Sequence, residues 1–271
     1  MLSNPAAPPR ASARARRMGW VLILLCIQST APWGLSQPKA DIQRNPSPDA
    51  SRIRTEGAFV VSTVLNQVPA NPSLTRGSLS IRNGAGQTHR VPFVHEIKLN
   101  STGWQSIYRV EGSNAATILI SQAAGTANQY AFRKGEDSNS PPVQMSDPVQ
   151  TTLPFADSDF SVGDLGLEFL HWPDQRLLMS ELRRGQSCRV IESTNPDPRP
   201  GAYSRVVSWI DIDSGGIVHA DAYDDHHELL KQFDPREFKK VNGQWQLTEM
   251  EIRNRKTRSR TRIEFDVTPA K

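Results

Sequence analysis

From Arg76 to the C-terminus the chain repeats short runs rich in β-branched and aromatic residues, each closed by turn chemistry. The first runs are 77–83, 91–99, 104–110, 115–121 and 129–133, with Gly84-Ala85-Gly86 and Asn100-Ser101-Thr102-Gly103 between early members. After Pro173 the rhythm returns at 177–183 and 186–192, a hairpin around Arg184-Gly185. Residues 203–212 turn at Asp213-Ser214-Gly215-Gly216 into 217–223. Asp224-Asp225-His226-His227 then turns into 228–233, and 244–253 and 257–267 finish the chain. Neither half has enough strands to close a sandwich or barrel alone, so the order predicts one antiparallel sheet. Pro92, inside its run, argues for an edge or strand-start position.

The period changes in two places. Val60, Val61, Val64, Leu65 and Val68 recur at helical spacing and Pro69 stops the run, which predicts a short amphipathic helix over 56–68. In the second, Ser161 and Asp164 form a capping-box variant, Phe160 and Leu165 a hydrophobic staple, and Pro173 ends the helix predicted over 161–172. Leu165 and Phe169 then share one face. Segment 135–154, rich in Ser, Pro, Asp and Gln, reads as a long surface loop. The fold class is α+β, mostly antiparallel β, with a few helices across one face of a curved sheet.

The N-terminus reads as an export signal. Arg10, Arg14, Arg16 and Arg17 precede an apolar run, Gly19 to Ile27, and small residues suited to cleavage follow near Ser36. That run is shorter than the roughly 20 residues of a spanning helix. The expected organisation is a signal peptide at 1–36, a flexible tether at 37–54 and one domain at 55–271. The chain has 32 Lys+Arg against 28 Asp+Glu, and those four arginines are the whole excess. The remainder is neutral, which removes the compositional support for a nucleic-acid partner. Cleavage near Ser36 leaves Cys188 as the one mature cysteine, read as a small buried hydrophobe.

No G-x-S-x-G or H-E-x-x-H motif occurs, so neither a nucleophile elbow nor a zincin site is predicted. His219, Asp221, Asp224, Asp225, His226 and His227 have the residue types of a metal site. Most of them fall in a predicted turn where Asp bonds local amides, and no metal or cofactor is expected. Large apolar residues on strands form the candidate binding surface: Ile107, Ile118, Ile120, Val207, Trp209, Ile263 and Phe265. Val61, Leu65, Phe160, Leu165 and Phe169 on the helices close over them. An acyl chain needs only such an apolar concavity, worth about 0.8 kcal/mol per buried methylene. Arg258, Arg260 and Arg262 on one strand face are candidates for attracting anionic head groups.

The run Tyr203-Ser204-Arg205-Val206-Val207-Ser208-Trp209-Ile210-Asp211, followed by Ala220-Asp221-Ala222-Tyr223-Asp224, resembles the bacterial outer-membrane lipoprotein-sorting proteins, the LolA-like family. Trp245-Gln246-Leu247-Thr248-Glu249-Met250 and Thr261-Arg262-Ile263-Glu264-Phe265 continue the likeness. Ser158-Asp159-Phe160-Ser161 with Asp164-Leu165 is similar to that family's mid-chain helix start, although Val162 and Gly163 stand where an aromatic and an acidic residue are common. The resemblance spans roughly 55–267. It implies a strongly curved, incomplete β-barrel whose concave face, lidded by helices, binds acyl chains of lipoproteins or lipids without covalent chemistry. It also implies an exported protein of the periplasm or cell envelope, an envelope transport partner and transient contact with a membrane surface. The alternative is an envelope interaction or stress-sensor module of the same fold with no transported cargo.

Overall fold

Turn chemistry sets the hairpins, and the hairpins set the sheet. The computed structural model describes residues 50–112, 115–135, 140–241 and 244–267. Its 13 strands form a single antiparallel sheet, curved and not closed. The first meander comprises β1 (Ser73–Arg82), β2 (Thr88–Leu99), β3 (Trp104–Val110), β4 (Ala116–Gln122), β5 (Gln129–Lys134) and β6 (Val143–Gln144). The second comprises β7 (Asp174–Arg183), β8 (Gln186–Thr194), β9 (Arg205–Asp211), β10 (Ile217–Tyr223), β11 (Leu229–Val241), β12 (Gln244–Asn254) and β13 (Ser259–Phe265). Within each meander sequential strands are neighbours. The two meet where β1 pairs with β13, from Gly77↔Phe265 to Arg82↔Arg260, leaving β6 and β7 as the sheet's edges.

The hairpin at Arg184-Gly185 forms as expected. Both residues have positive φ, 51° and 78°, the conformation that a two-residue loop matched to strand twist requires. Pro92 is a correction. It lies in an interior strand, between β1 and β3, but the β2–β3 ladder begins only at Phe93↔Val110. Pro92 therefore has a strand on one side and none on the other, a local edge inside a central strand.

Helix α1 (Ala50–Leu65) starts within the segment read as a tether and ends before Val68. Val60, Val61 and Val64 are buried against the core, as the spacing required. The helix lies on β7 and β8. Contact is closest at Gly57, where an added Cβ would lie 2.5 Å from the Gln175 carbonyl oxygen, so any larger residue would push the helix off the sheet.

The segment between β6 and β7 is not one helix. A 3-10 turn at Pro148–Thr152, capped by Asp147, precedes a second at Phe155–Asp157. Helix α2 is only Val162–Leu165, and its Ser161/Asp164 capping box is fully made. The Asn128 side chain then takes the Gly166 carbonyl at 2.7 Å, and Leu167 turns left-handed at φ 50°. The chain resumes as a 3-10 turn at Glu168–His171. The expected helix to 172 is thus broken after Leu165, but Leu165 and Phe169 both reach the core.

One apolar cluster fills the space between this lid and the inner face of the sheet. It joins Leu79, Phe93, Tyr108, Ile118, Ile120, Ile263 and Phe265 from the strands to Phe155, Phe160, Leu165 and Phe169 from the lid.

Candidate functional site

The inner face is aromatic at its centre. The Phe93 ring meets Tyr108, Phe155 and Phe265 at centroid distances of 6.3, 6.3 and 5.7 Å. Phe155 belongs to the lid, which therefore plugs the concavity with its own apolar side chains. His95 stacks on Tyr108 at 4.4 Å, and neither of its ring nitrogens has a partner among the described residues.

Three carboxylates fasten the lid to the sheet. Asp159 accepts from Thr261 Oγ1 at 2.9 Å and from Ser259 Oγ, both on β13. Asp164 accepts from the Ser161 amide at 2.7 Å and from Tyr203 Oη at 2.9 Å. Lys231 Nζ bridges these two acids, donating to the Asp159 carbonyl at 2.8 Å and lying 3.4 Å from Asp164 Oδ2. Glu168 accepts from Tyr130 Oη at 2.5 Å. Burial raises the Glu168 pKa, and burial together with the adjacent carboxylates holds Tyr130 and Tyr203 well above the usual tyrosine range. Both hydroxyls stay protonated as donors.

Two cavities flank the lid. One, of about 240 Å³, lies between the end of α1, the β4–β5 turn and the last part of the lid. Its walls include Val64, Leu65, Trp104, Leu167 and Leu170. Four buried polar atoms on residues lining it have no partner among the described residues: Gln67 Oε1, Trp104 Nε1, Asn128 Oδ1 and His171 Nε2. Burial lowers the His171 pKa, so the ring is neutral, and it is hydrogen-bonded to the Thr126 backbone. The other cavity, of about 210 Å³, lies on the far side of the lid, and its lining includes Pro148, Phe169, Trp172, Pro196, Tyr203 and Lys231.

The structure divides the candidate binding residues between the two faces. Val61, Ile118, Ile120, Phe160, Leu165, Phe169, Ile263 and Phe265 join the inner cluster, and Leu65 packs against it. Ile107, Val207 and Trp209 do not. Their strand neighbours Tyr108, Val206 and Ile210 point inward, so these three point outward. Trp209 lies 4.1 Å beneath the Arg183 guanidinium and donates to Glu181 on that outer face. Sequence reading missed Gln67, Trp104, Asn128 and His171, which lie far apart in the chain and share no motif.

The histidine–aspartate cluster is engaged in side-chain pairing and turn hydrogen bonds. Among the described residues no group of three or more His, Cys, Asp or Glu is placed to hold a metal ion. His219 Nε2 pairs with Asp221 at 2.9 Å and Nδ1 with Asp234 at 2.8 Å. Burial pulls the His219 pKa down, but these two carboxylates outweigh it and the pKa is raised. Asp224 accepts the amides of His226 and Glu228, as turn chemistry requires. Cys188 is buried, and burial pushes its thiol up to about 11, which leaves it unreactive.

The arginine stripe is also divided. Arg258 stands in the turn before β13 with φ 58°, off the strand. Arg262 pairs with Glu249 at 3.0 Å and with Glu251 at 3.3 Å, and Arg260 lies 4.0 Å from Glu251. Glu251 also takes Arg236 and Arg253. Burial raises the Glu251 pKa, but these guanidinium hydrogen bonds prevail and bring it to about 2.

Among the described residues no helix is long and apolar enough to cross a membrane. A family model described as "Uncharacterized protein" matches residues 142–269. No curated protein sequence matches. Solved structures do. A DUF1329 family protein from Desulfovibrio piger superposes with a TM-score of 0.62 at 21% identity, over 80% of this chain and 95% of that one. An outer-membrane lipoprotein-sorting protein domain from Vibrio parahaemolyticus gives 0.65 at 16% identity, over 79% and 92%. A LolA superfamily protein from Nitrosomonas europaea gives 0.54 at 15%, over 81% and 94%. The fold is that of the LolA-like lipoprotein-sorting proteins, as the 203–267 motifs implied.

Proposed function

We propose that this is an exported envelope protein that holds acyl chains of a lipid or lipoprotein non-covalently beneath its lid and passes them to a partner, with no covalent chemistry. The observation that carries this reading is the cavity between α1 and the lid. Apolar walls suit a hydrocarbon, and four unpartnered polar atoms suit the ester, amide or hydroxyl groups at its head. At about 240 and 210 Å³, each cavity falls below the roughly 300–1,000 Å³ typical of ligand pockets, so a whole chain enters only when the lid's aromatic plug withdraws. The lid's build favours that motion. It has one helical turn and several 3-10 turns, tied down by a few side-chain hydrogen bonds.

A fluorescent fatty acid titrated into the purified protein is expected to bind saturably. Leu65→Asp, at the cavity mouth, removes contact worth about two methylenes and should weaken binding about tenfold without loss of cooperative unfolding. Native mass spectrometry of protein purified from its own envelope should reveal a bound lipid. Lack of both saturable binding and co-purified lipid would overturn the reading.

One observation favours an interaction module instead. The edge strand β7 exposes Leu178, Met179 and Leu182. An apolar, unpaired edge is a template for strand addition by another polypeptide. A bound polypeptide with no lipid in the same spectra would put this reading first.

A further inference from the structure

The outer rim of the sheet carries an opening separate from both lid cavities. Two turns meet there, 83–87 between β1 and β2 and 255–258 between β12 and β13. Their contact is close: an added Cβ on Gly84 would lie 2.5 Å from the Thr257 carbonyl oxygen. Between them lies a groove of about 360 Å³ whose lining includes Arg82, Arg253, Arg255, Arg258 and Arg260 and no acidic residue.

The strand register places three of these guanidinium groups side by side. Arg82 is the direct cross-strand partner of Arg260, and Arg260 is the direct partner of Arg253. Like charges directly opposite in a sheet are destabilising, so the row needs counter-charge. The protein supplies little of it. Glu251 is shared among Arg236, Arg253, Arg260 and Arg262. Among the described residues Arg82, Arg255 and Arg258 have no carboxylate partner.

We infer that this groove is a binding site for a phosphate group, carried by an anionic lipid head or free in solution. A guanidinium presents paired N–H donors that match two phosphate oxygens, and several convergent arginines with excess charge suit a phosphate better than a carboxylate. The site stands apart from the acyl cavity and does not require it. Ser259 joins the two regions, since it lines the groove and donates to Asp159 of the lid.

The test uses the full exported chain with two ligands, inorganic pyrophosphate by calorimetry and phosphatidylglycerol vesicles by co-sedimentation, with phosphatidylcholine vesicles for comparison. The double variant Arg255→Glu/Arg258→Glu changes turn residues that do not touch Glu251, and should leave the melting transition in place. It should weaken pyrophosphate binding about tenfold, with a shallower salt dependence. Arg76→Glu, an exposed position on β1 away from the groove, should bind as the wild type does. Loss of phosphatidylglycerol binding alongside pyrophosphate identifies a lipid head as the source, whereas pyrophosphate binding alone supports the site with a free phosphate. No pyrophosphate binding, wild-type binding by the double variant, or an equal loss with Arg76→Glu would overturn the site. Fatty-acid binding measured on the same variants separates this outcome from failure of the acyl reading.

Discussion

His95 and His219 are both almost completely buried, one on each face of the same sheet, yet their pKa values move in opposite directions. His95 faces inward among Tyr108 and Phe265, and with nothing to stabilise a charge its pKa falls to about 4. His219 faces outward between Asp221 and Asp234, and its pKa rises above 6.5 despite burial. The contrast extends to the surrounding faces. Inside, rings and aliphatic chains pack against the lid. Outside, buried carboxylates such as Asp234 and Glu251 are held among arginines. Burial alone does not set the character of a site; the partners buried with it do.

The largest test of this contrast is to empty the inner face. Phe93→Ala removes the ring that joins Tyr108, Phe155 and Phe265, and should cost about 3–5 kcal/mol by chemical denaturation. A cost below about 1 kcal/mol would mean that the aromatic centre collapses freely and is not a fixed plug. Next in size is the acid limb of the stability profile. His95 binds its proton more weakly folded than unfolded, so its contribution is present above pH 6.5 and lost as pH falls toward 4. At full extent the loss is about 3 kcal/mol. His95→Phe should flatten that limb in denaturation curves measured from pH 4 to 7. The smallest effect belongs to His219. Its raised pKa gives a contribution present below 6.5 that disappears as pH rises through the folded value. His219→Gln keeps one donor and should remove this alkaline slope at a cost of about 1 kcal/mol. The two histidines together favour maximal stability near pH 6.5, and a profile unchanged in both variants would break the comparison.

Local signals were legible in the sequence and long-range ones were not. The Arg184-Gly185 hairpin, the Ser161/Asp164 capping box and the limits of β3 and β10 depend on neighbouring residues and stand where the sequence placed them. The face of each strand was harder, because a period of two turns a one-residue choice into an opposite orientation. Val207 and Trp209 look as apolar as Val206 and Ile210, and irregular pairing between Ile217 and His219 disturbs the alternation nearby. The start of α1 was hidden because its first turns expose polar side chains, so no apolar stripe announces them. Of the cavity between α1 and the lid, the apolar contributor Leu65 could be read from helical spacing. Its polar atoms could not, since Gln67, Trp104, Asn128 and His171 converge only through folding. The phosphate groove was half visible: the 253–262 arginines stood out, whereas Arg82 joins them only through the β1–β13 register.

That register has a consequence for how the molecule is made. The first and last strands of the domain form the seam between the two meanders, so the sheet cannot be completed until the C-terminal residues emerge. Until then the earlier strands present Leu79, Phe93 and Phe265's future contact surface to solvent with no mate along β1, a state open to aggregation. A nascent chain of this design leaves one edge of β1 unmated until β13 has been made.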